Sequence, residues 1–286
     1  ALVRPIIPPS LSIILYAAVM DTSIGAMFVA AIIPGFLMVI GDMVMVHILS
    51  VKRNYPRRTD PISGRDAAKC LRDAIIALVM PLIIVAGIVF GAFTPTEAAA
   101  VAVLYAFIVG AIVFRKITFK EVLHSIFDSA MSSGKLFFII ACVGILSWAF
   151  AMEEVPQQIA AIFSGLTDRP WLILLLANVF LLFMGMWLDL TANIFLFAPI
   201  LAPLIMAVGI DPIHFSMIFL LNVNLGNITP PLGIVLFATS ELSFESVPDI
   251  VKEIWPFWIS KAVVLALVTY LPWISMALPE LMGFTG

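Results

Sequence analysis

Apolar positions along this chain come in long unbroken runs, not in the alternating or one-face patterns of soluble strands and helices. A helix that crosses a membrane needs about 20 predominantly apolar residues. Runs with few or no charges fall at 5–20, 24–50, 74–92, 96–114, 134–152, 171–187, 190–208, 211–225, 230–240 and 255–278. Several are long enough to cross. The runs 5–20, 171–187, 190–208 and 230–240 are short or interrupted by proline, glycine or small polar residues, which predicts broken helices instead of plain spans. Two stretches, 118–133 (TFKEVLHSIFDSAMSS) and 153–165 (EEVPQQIAAIFSG), mix polar and apolar residues at helical spacing. They read either as amphipathic helices in the membrane interface or as plain connecting helices.

Composition turns the pattern into a class. Of the 286 residues 63% are hydrophobic and 12% charged, where a soluble domain has about 45–50% and about 25%. The excess is too large for one core and excludes a soluble enzyme or a disordered chain. The formal net charge of −3 offers no basic footprint, hence no nucleic-acid partner. Cys70 and Cys142 lack metal or redox spacing, and no phosphate-cradling glycine-rich loop supplies an ATPase engine. The reading is an all-α polytopic protein whose first partner is the lipid bilayer. The chain opens on ALVRPIIPPS, without Met and without signal-peptide character, and so reads as part of a longer protein.

Charge orients the spans. Lys52, Arg53, Arg57, Arg58, Arg65, Lys69 and Arg72 concentrate in one loop, and Arg115, Lys116 and Lys120 follow two spans later, so both clusters lie on the cytoplasmic side. The loop at 153–169, with Glu153, Glu154 and Asp168, then faces outside. The run 171–187 enters from outside and is interrupted at LDLTAN (188–193). As one span, 171–208 would be far too long for a bilayer. A re-entrant hairpin with its tip near mid-depth solves this. The next run, 211–225, enters from outside, breaks at GNITPP (226–231) and finishes inward through 232–240, and 255–278 returns outward.

A faint internal repeat links PIIPPSLSIILY (5–16) to NITPPLGIVLF (227–237), and the orientation above makes the copies run in opposite directions. Inverted repeats with broken helices at the midplane point to a secondary-transporter site. Asp189, Thr191 and Asn193 at the hairpin tip face Gly226, Asn227, Thr229, Pro230 and Pro231 at the break. The Pro pair unwinds the helix and frees carbonyls. Carbonyls, hydroxyls and amide oxygens are the hard ligands an alkali cation prefers, and half-helix dipoles add to them. Two readings stand side by side: an ion site, or polar residues gluing helices together. Asp189 either caps the second half-helix or ligates the ion. Arg4 either pairs with a substrate carboxylate or sits at a cytoplasmic edge, and Ser10, after Pro8 and Pro9, is a further candidate polar ligand. Asp42 and His47 read as a proton relay, as snorkelling at a helix end or as a packed polar pair. FTPTEAAAVAVLYA (93–106) reads as a capped helix start with no chemistry.

The stretches FTPTEAAAVAVLYA (93–106), WLDLTANIFLFAPILAPL (187–204) and GIDPIHFSMIFLLNVNLGNITPPLGIVLF (209–237) together resemble the large membrane subunit of the tripartite ATP-independent periplasmic (TRAP) transporters, and PIIPPSLSIILY looks like that family's first broken helix. The resemblance covers nearly the whole chain. It implies an inverted-repeat, elevator-type secondary transporter of the bacterial inner membrane that imports small organic acids (C4-dicarboxylate, keto acid or sialic-acid type). Coupling would be to sodium with no other cofactor, and the partners would be a small membrane subunit and a periplasmic substrate-binding protein. The second sodium site would draw on Asp189, Thr191, Asn193, Gly226, Asn227, Thr229 and Pro230. A first-site remnant would lie at Pro8, Pro9 and Ser10. Family members carry a further N-terminal portion with a first hairpin, so the resemblance implies that these 286 residues alone do not transport. The domains expected are 1–23 (first broken helix), 24–170 (scaffold and connecting helices), 171–240 (second hairpin and broken helix) and 241–286 (cytoplasmic connector and last span). The alternatives are a carrier that works without a binding protein and an intramembrane enzyme built on Asp42 and Asp189.

Overall fold

A computed structural model describes residues 5–55, 64–115, 117–166 and 169–284, and every regular element among them is helical. In chain order these are α1 (Leu11–Met20), α2 (Ile24–Ala30), α3 (Ile32–Lys52), α4 (Gly64–Val89), α5 (Pro95–Ile108), α6 (Phe119–Met152), α7 (Val155–Leu166), α8 (Pro170–Trp187), α9 (Leu190–Ala207), α10 (Pro212–Gly226), α11 (Ile234–Ser243), α12 (Val247–Tyr270) and α13 (Trp273–Leu281). Among the described residues six helical segments are long and apolar enough to cross a membrane, and a bent pair makes up to seven. Contacts divide the chain into two units, one formed by residues 1–48 with 139–286 and the other by residues 49–138.

In the second unit α4 packs on α5, and Tyr105 Oη donates to the Ile76 carbonyl at 2.8 Å. The capped start expected at 93–106 is present: Glu97 N donates to Thr94 Oγ1, Thr94 N donates to the Glu97 carboxylate, and Pro95 fills the first helical position. Apolar side chains such as Leu78, Leu82, Val103 and Leu104 are exposed along both helices. That is the surface a lipid-facing span presents.

In the first unit α10 is the central helix. Every residue from Ile213 to Gly226 is buried, and α8, α9, α12, α2 and α13 all pack against it. Trp171 and Leu174 at the start of α8 line one groove with Gly209, Asp211 and His214, which directly follow α9. The chain therefore returns, after α9, to the end where α8 began. α8 and α9 form a hairpin, and α10 runs parallel to α8. Two buried polar side chains of α10 are bonded across the bundle: Asn222 Nδ2 donates to Asn178 Oδ1 (2.6 Å), Asn178 Nδ2 donates in turn to Thr269 Oγ1 (3.1 Å), and His214 Nδ1 is hydrogen-bonded with Ser275 Oγ at 2.7 Å.

The structure corrects four element readings. The amphipathic stretch 118–133 and the run 134–152 form one 34-residue helix, α6. It contains no proline, its start is closed by a Thr118–Glu121 capping box, and its two glycines, Gly134 and Gly144, cost only about 1 kcal/mol each. The run 255–278 is two helices, α12 and α13, bent by 58°. Pro272 disfavours helix at Leu271, whose φ of −121° and ψ of 81° end α12. The run 24–50 is divided at Ala31 into α2 and α3, three residues before Pro34, which has no N–H to give the Ala30 carbonyl. Finally, the hairpin arms α8 and α9 have 18 residues each and are individually long and apolar enough to cross, so Pro199 and Pro203 inside α9 do not shorten it.

Candidate functional site

The hairpin tip is a tight non-helical link of two residues. Leu188 is extended and Asp189 starts the next helix, its carboxylate accepting from Thr191 N and Ala192 N at 3.1 Å each. Of the two roles open to Asp189, the structure displays capping. Thr191 contributes its backbone N–H to that cap and is half-buried. Asn193 is fully buried, and its Nδ2 folds back to the carbonyls of Leu188 (2.9 Å) and Asp189 (3.0 Å). Its Oδ1 is buried without a hydrogen-bond partner. A buried orphan acceptor costs about 1–3 kcal/mol, so it marks a place where a donor or cation is wanted.

The break lies directly against this tip. Gly226 ends α10, and a Cβ added there would fall 2.7 Å from the Cα of Gly185. Glycine at both positions therefore lets two backbones touch. After Gly226 the chain makes two tight bonds, Ile228 N to Leu225 O at 3.2 Å and Thr229 N to Gly226 O at 2.8 Å, then reaches Pro230–Pro231. The surrounding acceptors assign the Asn227 amide orientation: its Nδ2 faces the carbonyls of Gly185 (3.0 Å) and Leu188 (3.2 Å) and donates to both. Gly233, with φ of +50°, gives its N–H to Met186 O at 3.2 Å before α11 starts. The amides of Asn193 and Asn227 thus converge on one carbonyl, that of Leu188. Among the described residues no backbone N–H is donated to the carbonyls of Ile228, Thr229, Pro230 or Pro231. This is the freed backbone expected of a Pro pair.

Thr229 Oγ1 donates to Leu225 O at 2.7 Å and accepts from Trp258 Nε1 at 2.8 Å, which leaves it one lone pair. The structure thus gathers Asp189, Asn193, Gly226, Asn227 and Thr229 around adjacent interruptions of two helices. Gly185, Trp258 and the carbonyl of Leu188 join them without a sequence signal stronger than a glycine in an apolar run and a tryptophan thirty residues away.

The first Pro-Pro segment is built differently. Pro8–Pro9 and Pro230–Pro231 are both cis peptides. Each precedes a ten-residue helix, α1 and α11, that ends in a left-handed non-glycine residue: Asp21 at φ 50° and Phe244 at φ 59°. Ser10 is buried, donates to Pro5 O at 2.5 Å, and caps α1 by accepting from Ile13 N. α1 lies along α9, the return arm of the hairpin. Arg4 lies outside the described residues. Asp42 has a partner that no local pattern suggested: Lys261 Nζ donates to both carboxylate oxygens at 2.9 Å. This packed polar pair takes the place of a relay with His47.

The fold thus defines a multi-pass membrane protein in which one group of polar side chains meets where two helices are interrupted. The family model described as "Tripartite ATP-independent periplasmic transporter, DctM component" matches residues 1–274, and the chain belongs to that family. It is similar to the sialic acid TRAP transporter large permease protein of Vibrio cholerae, 36% identical over 98% of this chain and 65% of the relative. The C4-dicarboxylate TRAP transporter large permease protein of Pseudomonas aeruginosa is likewise 36% identical, over 98% and 65%. The 2,3-diketo-L-gulonate TRAP transporter large permease protein of Escherichia coli is 32% identical over 95% and 64%. The chain spans somewhat under two thirds of the length of these relatives. Family membership and the long apolar helices make it a multi-pass protein of the bacterial inner membrane. Its relatives are permeases, which speaks against the intramembrane-enzyme alternative.

Proposed function

We propose that this chain forms most of the large permease subunit of a TRAP transporter and takes part in sodium-coupled import of a small organic acid. A periplasmic binding protein delivers the substrate, and a small membrane subunit braces the scaffold. Relatives named for sialic acid, C4-dicarboxylates and 2,3-diketo-L-gulonate support the substrate class, a small organic acid. Their spread leaves the particular acid to be measured.

The observation that carries the coupling ion is the buried, unpartnered Oδ1 of Asn193 at a tip joined through the Leu188 carbonyl to a break whose carbonyls at 228–231 receive no backbone N–H among the described residues. All are neutral oxygens, suited to a weakly held monovalent cation that must also leave again. Asp189 contributes through its cap, which fixes the start of α9, and the tip and break are locked to each other by Asn227 and Gly233. On this reading the hairpin is re-entrant, α1 and α11 are corresponding parts of an inverted repeat, and the tip and break travel together in an elevator movement. The equal length and matching left-handed ends of α1 and α11 support the repeat.

The test is a sodium titration of the intact permease assembled with its partners, followed by thermal shift and by uptake into liposomes. Asn193→Ala and Thr229→Ala should abolish or sharply weaken the sodium-dependent shift while leaving folded yield near normal. A wild-type protein whose melting and uptake ignore sodium, with potassium as the control salt, would sink the reading.

A further inference from the structure

Trp258 and Lys261 are three residues apart on α12 and so share one side of it. Trp258 reaches the break after α10, and Lys261 reaches α3. Trp258 Nε1 donates to Thr229 Oγ1 at 2.8 Å, and Lys261 Nζ donates to both Asp42 oxygens at 2.9 Å. Lys261 is only 5% exposed. Between them, Ser260 Oγ occupies the space that a Cβ on Gly41 would need, so α12 reaches α3 closely at this one point beside the ion pair. α12 also packs on α10, before the break, and on α11, after it.

A buried ion pair is weak evidence for stability, because apolar side chains of similar volume often hold a fold as well or better. What the pair supplies is register. Sliding α12 by a single residue moves Nζ by about 1.5 Å along the axis and breaks a two-oxygen contact. One turn away, the same register sets where the indole N–H meets Thr229. The Thr229 hydroxyl proton is committed to Leu225 O, so Trp258 decides which lone pair of Oγ1 remains for a ligand.

We propose that Trp258, held in register by the Lys261–Asp42 pair, is a positioning residue for the cation site at the break. The proposal rests on the reading that this break binds sodium. The experiment titrates sodium against the melting temperature of the intact permease. Trp258→Phe keeps the ring and deletes the donor. It should raise the half-saturating sodium concentration about fivefold, the loss of one neutral hydrogen bond, and leave substrate half-saturation at high sodium unchanged. Asp42→Asn and Lys261→Met should each lower folded yield. The double variant Asp42→Asn/Lys261→Met should recover yield yet raise the half-saturating sodium concentration, and the charge-reversed Asp42→Lys/Lys261→Asp should recover wild-type yield and half-saturation. A Trp258→Phe protein with wild-type sodium half-saturation overturns the proposal, as does a folded neutral double with wild-type half-saturation. A wild type with no sodium response at all removes the ion-site reading itself, a separate outcome that takes this proposal with it.

Discussion

Ile6 and Ile228 are both fully buried, each two residues before a Pro-Pro pair and shortly before a ten-residue helix. Around them the two segments spend their polar groups in opposite ways. The first carries Pro5 and Ile7 where the second carries Asn227 and Thr229, and Ser10 where the second carries Leu232. Ser10 turns inward and closes the start of its own helix. In the second segment α11 starts from Gly233 with no side-chain cap, and the polar groups reach outward: Asn227 to the hairpin tip, Thr229 to α10 and α12. The difference teaches that a Pro-Pro break is only an opportunity. What it becomes depends on whether neighbouring side chains cap the helix or leave its backbone open to something else.

The largest effect should come from closing the gap that lets the second segment dock. Gly226→Val puts a side chain against the backbone of Gly185 and should cost about 3 kcal/mol or more, read as a large fall in melting temperature and loss of sodium response. Asn227→Leu keeps the bulk but strips donors from the carbonyls of Gly185 and Leu188. It should cost about 1–3 kcal/mol and weaken the sodium-dependent shift; an unaltered shift would mean the tip and break are held by apolar packing alone. Gly233→Ala forces a Cβ into a left-handed residue 2.9 Å from Leu236 Cδ1, for about 1–2 kcal/mol, with Gly233→Asn milder. The smallest loss is expected from Ser10→Ala, about 1 kcal/mol of capping, restored by Ser10→Thr and with sodium half-saturation unmoved. A change in sodium response there would erase the contrast and give the first segment a ligand role of its own.

Much of this was legible in the residues. LDLTAN and GNITPP mark interruptions because a cap residue and a Pro pair act locally, and the structure brings them together. TPTE at 94–97 declares its capping box, and TFKE at 118–121 contains the same signature, overlooked because the mixed polarity of 118–133 suggested a separate interfacial helix. The pairing of Lys261 with Asp42 was not legible, since neither charge has a local partner pattern and the chain between them is long. Gly185 shows its purpose only once Gly226 is set against it. Trp258 looked like one apolar residue in a span, because a single N–H leaves no periodic trace. The bend after Tyr270 was readable in principle from Pro272, but an apolar run on both sides masked it.

The first unit joins residues 1–48 to residues 139–286, which are far apart in sequence. α2 is buried almost from end to end, and its walls are α10 and α13; α1 rests on α9. While the protein is being made, α1 and α2 must wait in the membrane without these partners until α9, α10 and α13 have emerged. The α4–α5 pair needs only neighbours a few turns away. Biogenesis is therefore split in time: a local hairpin that matures as it leaves the ribosome, and a discontinuous bundle whose closure is set by the arrival of residues around Ile274 and Met276.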